Sequence, residues 1–136
     1  MSYAVSPALQ KAVYETLAGD VALGALVGTA IFDAPPVGTV PETYVTLGPE
    51  TVRDRSDGSG GGALHDLAVS VVTAADGFQA AKAVAVAVND ALAAGLPALD
   101  RGRLVRLDFL KARARREEAG QIRRIDLSFR ARVEDD

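Results

Sequence analysis

The sequence predicts a single α+β domain in which two helical elements pack on one face of an antiparallel sheet. The sheet would contain two long hairpins and a short strand. Apolar residues recur at helical spacing over residues 6–27 and 77–94, while strand-like runs lie between and after these segments. That order, with no internal repeat, favours an antiparallel sheet covered on one side by helices. A length of 136 residues without a linker indicates one domain, spanning 1–136.

The first helical element is predicted to be bent. Ser6 followed by Pro7 is typical of a helix start, with the serine as N-cap and the proline at the first helical position. Gly19 ends this run, and Asp20 is placed to cap a second, shorter helix. Together the two runs form one element over residues 6–27.

A short strand and a long-looped hairpin follow. Residues 31–33 form the short strand, and residues 43–53 form a longer one with a kink at Gly48 and Pro49. Residues 56–62 contain four glycines, which are costly to order and predict a flexible loop. The returning strand places alternate apolar side chains on one face, namely Leu67, Val69 and Val71.

The second helix is predicted to run from Phe78 to about Ala94. Asp76 with Gln79 three residues later resembles a capping box, and Gly95 ends the helix. An apolar stripe at helical spacing would face the sheet: Phe78, Ala81, Ala85, Val88 and Leu92.

The last hairpin is predicted to consist of two long strands. A break in alternation at Phe109–Leu110 indicates a bulge in the strand over 104–116, and residues 117–120 form the tip. The final strand has a strictly apolar face, formed by Ile125, Leu127, Phe129, Ala131 and Val133. Its opposite face is formed by Arg124, Asp126, Ser128, Arg130 and Arg132.

Composition excludes several classes of site. The absence of cysteine excludes disulfides, thiolate catalysis and cysteine zinc sites, and no apolar run is long enough to span a membrane. The single histidine, His65, rules out histidine-rich metal sites, and no positioned nucleophile accompanies the His65–Asp66 pair. The glycines of residues 56–62 lead into a strand, whereas a phosphate loop leads into a helix. We therefore expect no catalytic residue, cofactor or metal.

Charge is distributed unevenly along the chain. Residues 1–100 hold four basic and eleven acidic side chains, whereas residues 101–136 hold eleven basic and seven acidic ones. The overall charge of −3 argues against tight general binding of nucleic acid, which depends on phosphate neutralisation. The basic C-terminal part still permits a local electrostatic role.

Two groups of residues are candidates for protein contacts. The first lies at the start of the glycine loop and comprises Arg53, Asp54, Arg55, Ser56 and Asp57. The second comprises basic residues of the last two strands: Lys111, Arg113, Arg115, Arg124, Arg130 and Arg132. Arginines on a sheet face are either solvated and paired or engaged in an interface, and the sequence leaves both alternatives open.

Several segments, in this order, resemble one family of phage proteins. They are SPALQKAVYETLAGDVALGALVG at 6–28, IFDAPP at 31–36, YVTLG at 44–48, RDRS at 53–56, GFQAAKAVAVAVNDAL from Gly77, and RLVRLDFLKARARR and RRIDLSFRARVED at the end. The pattern is similar to the DUF3168 family, the tail terminator or tail completion proteins of siphophages and gene transfer agents. The closing strands look most like the gene-transfer-agent branch.

The resemblance implies a structural protein of a phage-like particle, assembled in the bacterial cytoplasm. Such proteins form a homohexameric ring on the head-proximal end of the tail tube and stop polymerisation of the tube protein. The implied partners are the major tail tube protein, the head-side stopper or connector, and DNA that passes through the lumen without sequence-specific binding. The first contact group would meet the tube or a neighbouring subunit, and the arginines would form subunit contacts or a lumen wall.

Two alternatives belong to neighbouring or different classes. One is another neck component, such as a stopper or a head-completion protein. The other is a small nucleic-acid-binding module that uses the basic C-terminal strands, for which interleaved aromatic residues would be expected.

Overall fold

The computed structural model describes residues 2–34, 37–56, 58 and 60–135. The predictions for Pro35, Pro36, Asp57, Ser59 and Asp136 lie outside the described residues. The helices are α1 (Ser6–Ala18), α2 (Val21–Val27) and α3 (Gln79–Ala93). The strands are β1 (Ile31–Phe32), β2 (Thr43–Asp54), β3 (Gly61–Thr73), β4 (Arg103–Glu117) and β5 (Ile122–Asp135). Short 3₁₀ turns occupy Ser2–Val5 and Glu118–Gly120.

The five strands form one sheet in the order β1-β2-β3-β5-β4, and the α+β class predicted from sequence is confirmed. The β2–β3, β3–β5 and β5–β4 pairs are antiparallel, whereas β1 runs parallel to β2. The sheet is therefore mixed rather than antiparallel throughout. Helix α3 carries the chain from β3 to β4, and β5 then fills the position between those two strands.

Alternation along the central strands decides which face is covered. In β5 every second residue from Ile125 to Val133 is buried, as predicted, and in β3 Val69 and Val71 are buried on the same face. The apolar stripe of α3 packs against them, and its alanines permit close approach to the sheet. Leu9, Val13 and Leu17 complete the core from α1.

Two predicted helix caps are wrong and one is confirmed. The Asp20 carboxylate accepts a hydrogen bond of 2.9 Å from the backbone N–H of Leu23, as expected of an N-cap. The Ser6 side chain caps nothing, because the preceding 3₁₀ turn puts Val5 at the cap position. Asp76 does not cap α3, because Gly77 adopts a φ of 74° and the helix begins only at Gln79.

The glycine-rich connection is shorter than predicted. Gly61 and Gly62 belong to β3 and pair with β5, so the predicted loop over 56–62 loses its last two residues to the sheet. The N–H of Arg55 donates to the carbonyl of Gly62 at 2.7 Å, and a β-carbon at Gly62 would lie 2.8 Å from the Arg55 oxygen. Glycine is therefore required at position 62 because the two backbones approach so closely.

Three irregularities interrupt the pairing of β2 with β3 and of β4 with β5. The predicted kink at Gly48–Pro49 is a register shift between β2 and β3, where Pro49 has no N–H to offer. The bulge predicted at Phe109–Leu110 is confirmed, since Phe109 and Lys111 pair with consecutive residues of β5. A second bulge at Val105 was missed by the sequence analysis, because alternation there is already weak.

Candidate functional site

All six predicted basic residues of the last two strands lie on the face of the sheet that the helices leave uncovered. Lys111, Arg113 and Arg115 stand opposite β5 residues of that face, and each successive β5 residue alternates between the two faces. Arg124, Arg130 and Arg132 come from β5 itself. We call the uncovered surface of β2, β3, β5 and β4 the open face.

Three of the six are engaged in ion pairs within the sheet. Arg130 makes two hydrogen bonds, of 2.7 and 3.0 Å, to the carboxylate of Asp66 on β3. Arg124 and Arg115 approach the carboxylate of Asp126 at 2.9 and 3.3 Å. The Arg130 and Arg115 ion pairs connect neighbouring strands, and Arg124, whose carboxylate partner is on its own strand, also donates to the Ser70 hydroxyl of β3 at 3.2 Å. These contacts account for the three arginines without a partner molecule.

The two carboxylates show the electrostatic effect of this pairing. The hydrogen bond from Arg130 lowers the pKa of Asp66 below its usual value. Burial acts to raise the pKa of Asp126, but hydrogen bonds from Ser70 and Arg124, with the charge of Arg124, outweigh it and lower that pKa. Both aspartates are thus held ionised, and each offsets part of the positive charge of the arginines around it.

The other three basic residues are not neutralised in this way. Among the described residues, Lys111, Arg113 and Arg132 have no ion-pair partner, and Lys111 and Arg113 are exposed. We call these three the unpaired cations. Cationic side chains displayed on a flat face suit contact with an acidic surface or with phosphate.

The predicted contact group at the hairpin tip lies beside this face. Arg53, Asp54, Arg55 and Ser56 are exposed, and Asp57 is outside the described residues. Arg53 lies 3.9 Å from Asp66, and the Ser56 hydroxyl donates to Asp54 at 2.6 Å. Arg53 belongs to the open face, because it pairs with Leu64 of β3, whereas Asp54 pairs with Ala63 and faces the helices.

Sequence reasoning missed two arginines of the open face. Arg106 stands opposite Arg132 and is held by Asp108 through bonds of 2.8 and 3.0 Å. Arg103 pairs with Glu134 at 2.8 Å. Strict alternation along β4 would place Arg103 and Arg106 on opposite faces of the sheet. The extra residue at the Val105 bulge brings both onto the open face, and the sequence carried no clear sign of that bulge.

His65 is fully buried on the helix side of β3 and belongs to a structural network. Its Nδ1 lies 3.2 Å from Glu50 Oε2, and the Ser6 hydroxyl donates to Glu50 Oε1 at 2.7 Å. Asp66, its neighbour in sequence, points to the opposite face and pairs with Arg130. The His65–Asp66 general-base pair considered from sequence is therefore not assembled.

The described part of the chain offers little sign of other chemistry. No cluster of three potential metal ligands is found there. Within the same residues, no helix has the length and apolar character to cross a membrane. A groove of about 520 Å³ beside α1 is lined by Tyr3, Gln10, Tyr14 and Asp33 among others.

Comparison with known proteins identifies the fold and family together. A solved structure described as the virion of a native gene transfer agent particle contains a chain that superposes with a TM-score of 0.92. That chain is 60% identical, and the match covers 97% of the present chain and 98% of the other. A search of curated proteins gives no match. The family described as tail completion protein gp17 matches residues 11–134, which confirms the resemblance seen in the sequence, and the chain belongs to this family.

Proposed function

We propose that this protein is a structural component of a gene-transfer-agent-like particle, where it forms a hexameric ring on the head-proximal end of the tail tube. The ring ends tube polymerisation, joins the tail to the head-side connector and leaves a lumen for DNA. The observation that carries the proposal is the 60% identity, over nearly the whole of both chains, to a chain of a gene transfer agent virion. Assembly, rather than catalysis, is the proposed activity.

The dimensions of the domain are compatible with passage of DNA through a ring of six. A chain of 136 residues has a radius of gyration of about 14 Å, hence a body about 36 Å across. Six touching bodies of that size enclose a hole of about the same width, which admits a DNA duplex. A closed ring requires two different patches that meet head to tail.

The exposed basic groups supply candidate contacts for this assembly. We assign the hairpin tip, Arg53 to Asp57, to contact with the tube or a neighbouring subunit. The unpaired cations would face a subunit contact or the lumen, where negative charge from a partner or from DNA replaces the missing ion pairs. Arg115, Arg124 and Arg130 mainly hold the sheet together, since internal carboxylates already occupy them.

A nucleic-acid-binding module receives no support from the aromatic residues. Phe109 and Phe129 form an edge-to-face pair with ring centroids 5.9 Å apart, and Phe129 lies in the core. Both are on the helix side of the sheet, away from the basic side chains. The described residues of the basic strands β4 and β5 therefore place no aromatic ring on the open face, which does not fit the interleaved stacking platform of a single-strand binder. The aromatic pair on that face, Phe32 and Tyr44 with ring centroids 5.9 Å apart, lies at the β1–β2 edge.

Negative-stain imaging of particles from a producing strain without this gene tests the proposal. Over-long or length-scattered tails that are unjoined to filled heads are expected, and return of the gene should restore normal joined particles. Tails of normal length that remain unjoined would assign the chain to the stopper or head-completion role instead. Intact particles in the deletion strain would overturn a role in assembly.

A further inference from the structure

An apolar groove lies between α3 and β4, and no other part of the described chain covers it. It has a volume of about 380 Å³ and is lined by residues that include Val86, Phe109, Ala112 and Ala114. Val86 and Phe109 are 59% and 50% exposed, which is high for large apolar side chains. The small side chains of Ala112 and Ala114 leave β4 uncovered by α3.

The β4 edge is poorly suited to binding another strand. β4 is the last strand of the sheet, but bulges at Val105 and Leu110 interrupt its regular hydrogen-bonding edge. Such bulges are a common means by which proteins prevent edge-to-edge pairing. A partner is therefore expected to fill the groove with side chains rather than extend the sheet.

The opposite edge of the sheet carries an exposed apolar segment. The chain between β1 and β2 presents Val37, which is fully exposed, and Val40, which is 40% exposed. Because β1 and β4 are the two outermost strands, this segment and the groove lie at opposite edges of the sheet. That placement matches what a head-to-tail contact between copies requires.

The two edges also carry opposite charge. Along β4 the basic residues are Arg103, Arg106, Lys111, Arg113, Arg115 and Arg116, against the acidic Asp108 and Glu117. Lys82 lies in the wall of the groove itself. At the other edge, the exposed charges that flank Val37 and Val40 are the acidic Asp33 and Glu42, while Asp54 lies between Arg53 and Arg55 at the far end of β2. Opposite potentials favour encounter of unlike edges and oppose pairing of like edges.

We propose that the β1–β2 segment bearing Val37 and Val40 of one copy docks in the α3–β4 groove of the next copy. The valines fill the apolar floor beside Val86 and Phe109, while the acidic edge faces the basic edge of β4. Repetition of this single heterologous contact closes a ring. The inference rests on the proposed ring and assigns the surfaces by which its subunits meet.

Engineered cysteines provide a direct test, because the chain contains none of its own. A variant with both Val40→Cys and Val86→Cys is used to complement the deletion strain, and purified particles are treated with a short bifunctional maleimide. Both positions are exposed, so the substitutions should leave the core intact. We expect a ladder of covalent multimers on a denaturing gel that ends at six copies.

Three controls define the result. Each single-cysteine variant should give no multimer beyond a dimer, and a pair combining Val86→Cys with Val21→Cys should give no ladder, since Val21 lies on α2. Particles that contain the Val40→Cys, Val86→Cys chain but give no ladder would overturn the proposal. A ladder from the Val21 pair alone would also overturn it.

A second variant covers the case in which the cysteine pair fails to enter particles. Val86→Arg places a bulky charge in the groove and should abolish the multimers that an amine-reactive cross-linker traps in wild-type protein at high concentration. Val21→Arg, an equal change on an exposed α2 residue, should keep them, and unchanged multimers in Val86→Arg would refute the docking. Tail lengths in the deletion strain distinguish this proposal from the proposed function. If those tails are over-long but the cysteine pair gives no ladder, tube termination stands and the docking is wrong. If the tails have normal length but the ladder forms, the docking stands and tube termination is wrong.

Discussion

Individual residues in this sheet take their roles from the face on which they lie. His65 and Asp66 are adjacent in sequence, yet one is buried beside Glu50 and the other forms an ion pair with Arg130 on the open face. The same division separates Arg130, which is occupied by a carboxylate, from Arg132, which has no ion-pair partner among the described residues. Arg132 is therefore the informative position for a charge reversal, whereas a change at Arg130 also removes an internal contact.

Gly102 is required by its conformation and its surroundings. Its φ is 73°, and a β-carbon there would lie 2.7 Å from Val5 Cγ2 and 2.8 Å from the Glu134 oxygen. Gly102→Ala should lower the free energy of unfolding by at least about 2 kcal/mol, since left-handed backbone and overpacking each cost about 1–2 kcal/mol or more. Urea denaturation measures this. Gly24→Ala is the control, because α2 has open space there and should gain roughly 0.5–1 kcal/mol. Equal stability of the two variants would contradict this account.

The Asp66–Arg130 pair should make stability depend on acid pH. Because the pKa of Asp66 is lowered in the folded state, its contribution is present at neutral pH and is lost as pH falls below the usual value of 3.8. Asp66→Asn should therefore be less stable than wild type at pH 7, and the difference should shrink near pH 3. Urea unfolding at both pH values measures it. A stability difference between Asp66→Asn and wild type that does not change with pH would exclude the pairing as its cause.

A few polar contacts beside the apolar core connect the first helix to the sheet. Glu50 follows the irregularity of β2 and links that strand to Ser6 of α1 and to His65 of β3. The hydroxyl that sequence reasoning assigned to a helix cap instead reaches across 44 residues to this carboxylate. The bulge at Gly48–Pro49 thus precedes the residue that connects the first helix to the sheet.

Removal of the Glu50 side chain should weaken the whole domain. Glu50→Ala leaves the Ser6 hydroxyl, in a buried residue, without its acceptor and removes a partner of buried His65, so the free energy of unfolding should fall by about 1–3 kcal/mol. Thermal or urea unfolding measures the change. Glu42→Ala, an exposed change near the start of the same strand, should stay within about 0.5 kcal/mol of wild type. A similar loss in both variants would show that the network contributes nothing specific.

The whole molecule is a sheet with one covered face, one open face and two edges of opposite charge. The basic residues after position 100, evident in the sequence, lie mostly on β4 and β5, while the acidic Asp33 and Glu42 flank the segment at the other edge of the sheet. Because the chain belongs to the tail completion family and matches a chain of a virion, the surfaces through which it could assemble are the ones most worth testing. The unpaired cations, the apolar groove and the exposed segment bearing Val37 and Val40 are surfaces that the described part of the domain does not use internally.

Charge reversal at the unpaired cations should impair assembly without unfolding the domain. Lys111→Glu combined with Arg113→Glu changes two exposed side chains, so stability should remain within about 1 kcal/mol. Imaging of the complemented deletion strain should show a several-fold drop in joined particles. Lys11→Glu combined with Arg101→Glu is the matched control, because it reverses two exposed charges that lie outside β4. Equal particle yields from the two variants would remove the open face from the assembly contacts.

The sequence by itself determined the elements of this protein, because helical periodicity, strand alternation, glycine and proline act through neighbouring residues. It also determined the apolar face of β5, the bulge at Leu110 and the family. Only the tertiary structure decided three other features. These are the parallel pairing of β1 with β2, the hydrogen bond from Ser6 to Glu50 in place of a helix cap, and the division of the arginines into paired and unpaired ones. Each of these depends on partners far apart in the chain, such as Asp66 and Arg130, and local spacing carries no information about which distant strands become neighbours.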